Sequence, residues 1–244
     1  MTIRIKRIAL CWFCLFMFAM SPIAAANVEN RTVSFNGFAS YTMPSGLSVV
    51  SIPNVTDWLQ TMEKTIPAPL RDELLRQLQL AGTEKDLPFT LGIYQLTHFD
   101  RKDYRQAYLV SIHLKSPYKE LTPYVIGKPD EAKLKFAQSI NAQIKENLTG
   151  LSYLDPTTKT GGKILELSPV RLFSIEGDRT AYALGVRYLL QYQGFLFPFP
   201  VQAYVSADKA GAPVILALVL LDSERKFWTK LMDKMLEIPK KGVN

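Results

Sequence analysis

Cysteine and histidine are both scarce in this chain, with two of each in 244 residues. Both cysteines, Cys11 and Cys14, fall within the first 26 residues. The remainder has no thiol, which excludes a disulfide framework, a cysteine nucleophile and a thiolate metal site. Also missing are the Gly-x-Ser-x-Gly elbow, His-Glu-x-x-His, the phosphate-cradling Walker loop and Gly-x-Gly-x-x-Gly. No apolar run reaches the roughly 20 residues needed to span a bilayer as a helix. Charge of one sign is not in large excess. The formal +7 includes Arg4, Lys6 and Arg7, and without residues 1–26 it falls to 26 basic against 22 acidic, or +4. That balance gives no electrostatic footprint for nucleic acid.

What is present at the N-terminus has the form of a cleaved leader. Arg4, Lys6 and Arg7 are followed by 13 residues, 8–20, without a charge, amide or hydroxyl. Ser21-Pro22 breaks the run, and Ala24-Ala25-Ala26 supplies small side chains at the cleavage positions. Leu10 and Phe13, each preceding a cysteine, are too large for lipid attachment. The expectation is a signal peptide over 1–26, a mature start near Asn27 and a periplasmic or secreted destination.

The remaining residues, 27–244, contain no repeat, low-complexity tract or long linker and read as a single α+β domain. Two short strands are expected over 33–53, and helical segments over 57–81. Residues 89–115 read as a hairpin of strands 89–99 and 104–115 with a turn at 100–103. In that register Phe99 faces Tyr104, His98 faces Arg105 and His113 faces Thr90. A helix is expected over 130–148, lined on one side by Leu134, Ala137, Ile140, Asn141, Ile144 and Leu148. After a polar loop at 155–163, an antiparallel meander follows: 164–175, 180–193, 201–207 and 214–221. The last of these is apolar throughout and reads as a central strand. In 180–193 the alternation puts Tyr182, Leu184, Val186, Tyr188, Leu190 and Tyr192 on one face, as in a sheet with helices on one side. A final helix carries Phe227, Trp228, Leu231 and Met235 on its apolar side, and Arg225, Lys226, Lys230, Lys234, Lys240 and Lys241 make it basic. That helix suits core packing with a solvated basic face, and secondarily an anionic membrane surface.

Several constellations fail on spacing. The two histidines share a hairpin face, but eight residues separate them, roughly 27 Å at about 3.4 Å per residue. They cannot share an ion, and both read as polar residues on a solvated face. Ser116-x-x-Lys119, Ser139-x-Asn141 and Lys159-Thr-Gly161 mimic the three motifs of penicillin-recognising enzymes. Pro117 and the surrounding loop deny the serine its helix, and the spacings are too short. No metal and no cofactor is indicated.

One segment is unusual for a surface. Residues 194–200 place Phe195, Leu196, Phe197 and Phe199 beside Pro198 and Pro200 between two strands, reading as a stiff loop. It either folds back over the core or contacts a partner, lipid or apolar ligand. These four residues are the candidate contact site.

The strand pair around Tyr41-Thr-Met-Pro-Ser-Gly-Leu-Ser, the apolar strand at 214–221, and a closing helix with Phe227-Trp228 and Leu236-x-Ile238 resemble, in order, the PsbP-like exported α/β domains. The resemblance covers most of 27–244 as an order of elements. It implies a non-catalytic extracytoplasmic accessory or binding module, with an envelope protein or small apolar ligand as partner and at most weak membrane contact. The competing expectations are an envelope hydrolase with a spatially assembled site and a peripheral membrane-surface protein.

Overall fold

The computed structural model describes residues 32–35, 37–52, 88–100, 103–148, 152–155, 160–176, 178–192 and 195–237. The expected leader and the helical segments at 57–81 lie outside these residues. The strands are β1 (Thr32–Ser34), β2 (Ser40–Thr42), β3 (Leu47–Ile52), β4 (Phe89–Asp100), β5 (Asp103–Leu114), β6 (Ser152–Asp155), β7 (Thr160–Leu167), β8 (Arg171–Ile175), β9 (Arg179–Tyr192), β10 (Phe195–Ala207) and β11 (Pro213–Val219). The helices are α1 (Thr122–Val125), α2 (Glu131–Leu148) and α3 (Arg225–Met235), the last entered through a 3-10 turn, Asp222–Glu224.

Nine strands form one antiparallel sheet in the order β3-β4-β5-β11-β10-β9-β7-β6, with β8 also pairing β9. β1 and β2 form a separate small hairpin. The architecture is α+β, built on a mainly antiparallel sheet and closed by a helix after the last strand. β11 is paired on both sides, by β5 and β10, which is why its sequence is apolar without alternation. The β4–β5 register has Phe99 opposite Tyr104, His98 opposite Arg105 and His113 opposite Thr90, as the turn length predicts.

Both faces of the sheet are covered, which corrects the expectation of helices on one side. α2 packs Phe136, Ala137 and Ile140 with Tyr182, Leu184 and Val170. On the opposite face, Trp228, Met232, Met235 and Leu236 pack with Ala181, Ala183, Tyr204, Leu216 and Leu218. The β1–β2 hairpin adds Phe35, Phe38 and Met43 to that second core. The small residues of β9 belong to a buried face whose volume is supplied by the helix. Successive strand residues point to opposite faces, so Ala181 and Ala183 belong to the core that holds Trp228, Met232 and Leu236, while Tyr182 belongs to the other.

Other differences have local causes. Ala137, Ile140, Asn141 and Ile144 of the expected stripe face inward, but at the start of α2 Lys133 takes the place expected of Leu134: Leu134 is 41% exposed, whereas Lys133 is 4% exposed. Asp130 explains this, because its carboxylate accepts from the Lys133 N–H at 2.9 Å and from Lys133 Nζ at 2.7 Å. A buried ammonium is tolerated when it is paired and hydrogen-bonded. The expected strand 164–175 is two strands, β7 and β8, separated at Ser168-Pro169-Val170. The expected polar loop at 155–163 is part of a β6–β7 hairpin, with residues 156–159 outside the described set. Residues 195–200, expected as a loop, extend β10 and pair with Tyr192–Arg187 of β9. This stretch lies beyond the end of β11, whose pairing with β10 stops at Val201–Val219. Among the described residues, Pro198 and Pro200 therefore sit where β10 has a strand on one side only, the setting in which a missing N–H is tolerated.

Candidate functional site

Along β10, Pro200, Gln202 and Tyr204 share the face that α3 covers, and Leu196 and Pro198 continue the same row. Their β9 partners on that face are Gly185, Arg187, Leu189 and Gln191. Tyr204 is fully buried in the core with α3, Gln202 and Pro200 are buried, and the row becomes exposed at Pro198 and Leu196. A groove of about 770 Å³ results, floored by Gly185, Arg187, Pro200 and Gln202 and walled by Arg225, Lys226, Thr229, Lys230, Asp233 and Lys234. Its volume lies in the usual range of small-molecule sites, about 300–1,000 Å³.

The local folding of each wall follows from the sequence. On α3 the spacing i, i+4, i+8 aligns Arg225, Thr229 and Asp233 in one row and Lys226, Lys230 and Lys234 in the next. Trp228, Met232 and Met235, on the other side, hold the helix to the sheet. In the floor, a side chain at 185 would displace its neighbours. A Cβ there would lie 2.7 Å from Ser168 Oγ and 2.9 Å from Gln202 Oε1. The Ser168 N–H donates to the Gly185 carbonyl at 2.8 Å, so the β7–β8 break passes directly over this glycine.

Charge in the groove is unevenly satisfied. Arg187 is bidentate on Asp222 at 2.9 and 2.6 Å. Arg225 donates to Glu166 at 2.7 Å, and Arg171 clamps Asp233 through both its terminal nitrogens. The bond to Asp222 is the chief reason the Arg187 guanidinium is raised above its ordinary pKa. Lys226, Lys230 and Lys234 have no such partners among the described residues, and Glu237 is the remaining acid in the lining. Like charges at i, i+4 cost an isolated helix a few tenths of a kcal/mol per pair. In the floor, Gln202 is 7% exposed, and its Nε2 has no hydrogen-bond partner among the described residues. A buried amide donor left unpaired carries a desolvation cost of about 1–3 kcal/mol.

The residues singled out from sequence fall in two places. The backbone of Phe195, Leu196, Phe197 and Phe199 lies in β10, on the strand that floors the groove. Leu196 is 58% exposed; the side chains of Phe195, Phe197 and Phe199 lie outside what is described. The histidines are not on a solvated face, as had been expected. His98 packs edge-on against Phe227 of α3 at 4.9 Å, next to Arg105, whose guanidinium lies 4.5 Å from the same ring. His113 Nε2 is 3.0 Å from Asp208 Oδ2 at the opposite end of β5. Asp208 also accepts from the backbone N–H groups of Ala210 and Ala212. Burial pushes the Asp208 carboxyl up, but the Ala212 N–H, His113 and the Ala210 N–H outweigh it and hold the group below its ordinary value. The pair resembles part of a triad, yet Asp208 is the one hydrogen-bond partner of His113 among the described residues. Ser116 and Ser139 are both exposed, Ser139 in the middle of α2, so the serine motifs do not assemble a site.

Sequence reasoning missed Gln202 and Gly185. Gln202 occupies a polar position in an alternating strand, which reads as solvent-facing, and only the position of α3 shows otherwise. The lysine row was legible from its spacing. No protein-family model matches this chain, and comparison with curated proteins finds no match.

Proposed function

We propose that this protein is a non-catalytic binding or accessory module of the bacterial envelope, exported by its leader, with the groove between α3 and β7–β9–β10 as its binding surface. The observation that carries the reading is the pairing of an unpartnered buried donor, Gln202 Nε2, with three lysines that no acid neutralises among the described residues. Fold stability alone gains nothing from either. The leader-like N-terminus and the resemblance to PsbP-like domains support the same reading. Native mass spectrometry of the protein purified from its own envelope without detergent tests it. A defined extra mass, lost in a Gln202→Glu variant, is the expected result. A bare protein whose mass includes residues 1–26 contradicts both the binding and the export parts.

A second reading, contact with a membrane surface, is favoured by the exposure of Phe99 (57%), Tyr104 (46%) and Leu196 (58%) near one end of the sheet. Flotation with anionic liposomes distinguishes it, since contact through these residues survives Gln202→Glu.

A further inference from the structure

We infer that the groove takes an amphipathic anion: a carboxylate or phosphate group at Gln202 and the lysine row, with an apolar chain laid along β10 toward Leu196. The inference rests on the groove being the binding surface and names the chemistry of its ligand.

The polar end follows from the charge balance. The arginines nearest the floor are occupied by Asp222 and Glu166, and Asp233 by Arg171. What remains to meet a ligand is Lys226, Lys230 and Lys234 against Glu237, a net positive wall beside a donor that lacks an acceptor. A neutral polar ligand would satisfy Gln202 but not the lysines. An anion satisfies both, and charge-assisted hydrogen bonds are about twice as strong as neutral ones.

The apolar end follows from the strand. From Gln202 the same face of β10 presents Pro200, Pro198 and Leu196, with Leu189 opposite Pro198 on β9. Exposure rises outward along this row: Pro200 is buried, whereas Pro198 and Leu196 are exposed. Six residues of strand span about 20 Å. A free inorganic anion would leave that length uncovered, and an extended acyl chain would cover it. Lys163, opposite Leu189 on β7, flanks the path without closing it.

The test is titration of the purified protein, followed by NMR or calorimetry, with dodecanoate below its micelle concentration, acetate, inorganic phosphate and dodecanol. Dodecanoate is expected to bind at least tenfold more tightly than the other three. Gln202→Glu, which keeps the shape and replaces the donor by an acceptor, should weaken dodecanoate about tenfold or more. Lys230→Gln, at an exposed position, should weaken it several-fold and guards against a folding defect in the first variant. Leu196→Asp should weaken dodecanoate and leave hexanoate unchanged. Vesicles of phosphatidylglycerol separate two sources of the same chemistry. Association lost in Gln202→Glu assigns the anion to a bilayer lipid, whereas dodecanoate binding without association assigns it to a free amphiphile. Equal binding of dodecanol overturns the anionic head, and equal binding of acetate or phosphate overturns the chain. Failure of all four probes overturns the inference. An extra mass lost in Gln202→Glu would then still uphold the groove as a binding surface for another class of ligand.

Discussion

The two ends of the sheet are built on opposite plans. At the end holding the β8–β9 and β10–β11 turns, one buried guanidinium ties three backbone segments together through four carbonyls. Arg179, 4% exposed, donates to the carbonyls of Glu176 (2.9 Å), Phe38 (2.7 Å) and Gly37 (3.2 Å), and also to that of Ala207. His113 and Asp208 add a second tie between β5 and the turn after β10. At the other end, where the β4–β5 and β9–β10 hairpins turn, β11 has stopped, β10 carries two prolines, and Phe99, Tyr104 and Leu196 are exposed. The first end spends its polar groups on its own carbonyls. The second leaves apolar side chains and strand edges uncommitted, and the groove opens along the strand that leads to it. Rigidity at one end and availability at the other are consistent with a scaffold that holds a binding surface.

Breaking the fastened end should have the largest effect. Arg179→Ala leaves several buried carbonyls without a donor and is expected to cost about 3 kcal/mol or more in denaturant unfolding. Arg179→Lys should recover little of this, because one ammonium cannot reach the same fork of acceptors. An unfolding midpoint within error of the parent would show that the four carbonyls find other donors.

Acid should weaken the same end through Asp208. Its folded pKa lies below the ordinary value, so the native state prefers the ionised form. The stabilisation is complete above the unfolded carboxyl pKa of about 3.9 and is lost as pH falls through the lower folded value. Asp208→Asn should flatten that part of the stability profile below about pH 4. A profile as steep as the parent's would assign the acid sensitivity to other carboxylates.

Gly185→Ala sharpens the comparison at the groove. The clashes are with the far ends of Gln202 and Ser168, which can rotate, so stability should fall by only about 1 kcal/mol. Ligand affinity should fall further, because the amide is displaced; unfolding and binding measured on one preparation separate the two effects. The smallest effect is expected at the open end. Leu196→Ser, at an exposed site, should change stability by no more than about 0.5 kcal/mol. A larger loss would mean that Leu196 belongs to the core and that this end is closed.

Much of the sheet was readable because its signals were local. The β4–β5 register followed from turn length, and the position of β11 followed from an apolar run too continuous for a half-exposed strand. The errors arose where a tertiary neighbour set the outcome. Pro198 and Pro200 signalled a loop, but a strand flanked on one side does not need every N–H. Ala181 and Ala183 lie on a face that reads as one helices do not cover, and the side chains of α3 and of Phe35, Phe38 and Met43 make it a core. Lys133 looked solvated until Asp130 supplied both of its bonds. The candidate residues at 195–199 lie on β10, the strand that also floors the groove. The groove itself draws on three strands and a helix distant in sequence, and no spacing rule gathers Gly185, Gln202 and Lys230.

The place of β11 has a consequence for how the molecule is made. Among the described residues, the strands β3 to β5 are joined in the sheet to β6 to β10 through Pro213–Val219. Until those residues arrive, β5 and β10 are both open edges, about a hundred residues apart in the chain, and loop closure of that length is slow to nucleate. Synthesis of every strand from β3 to β10 therefore precedes closure of the sheet, and until β11 follows, two half-sheets with open edges must be kept from pairing with anything else.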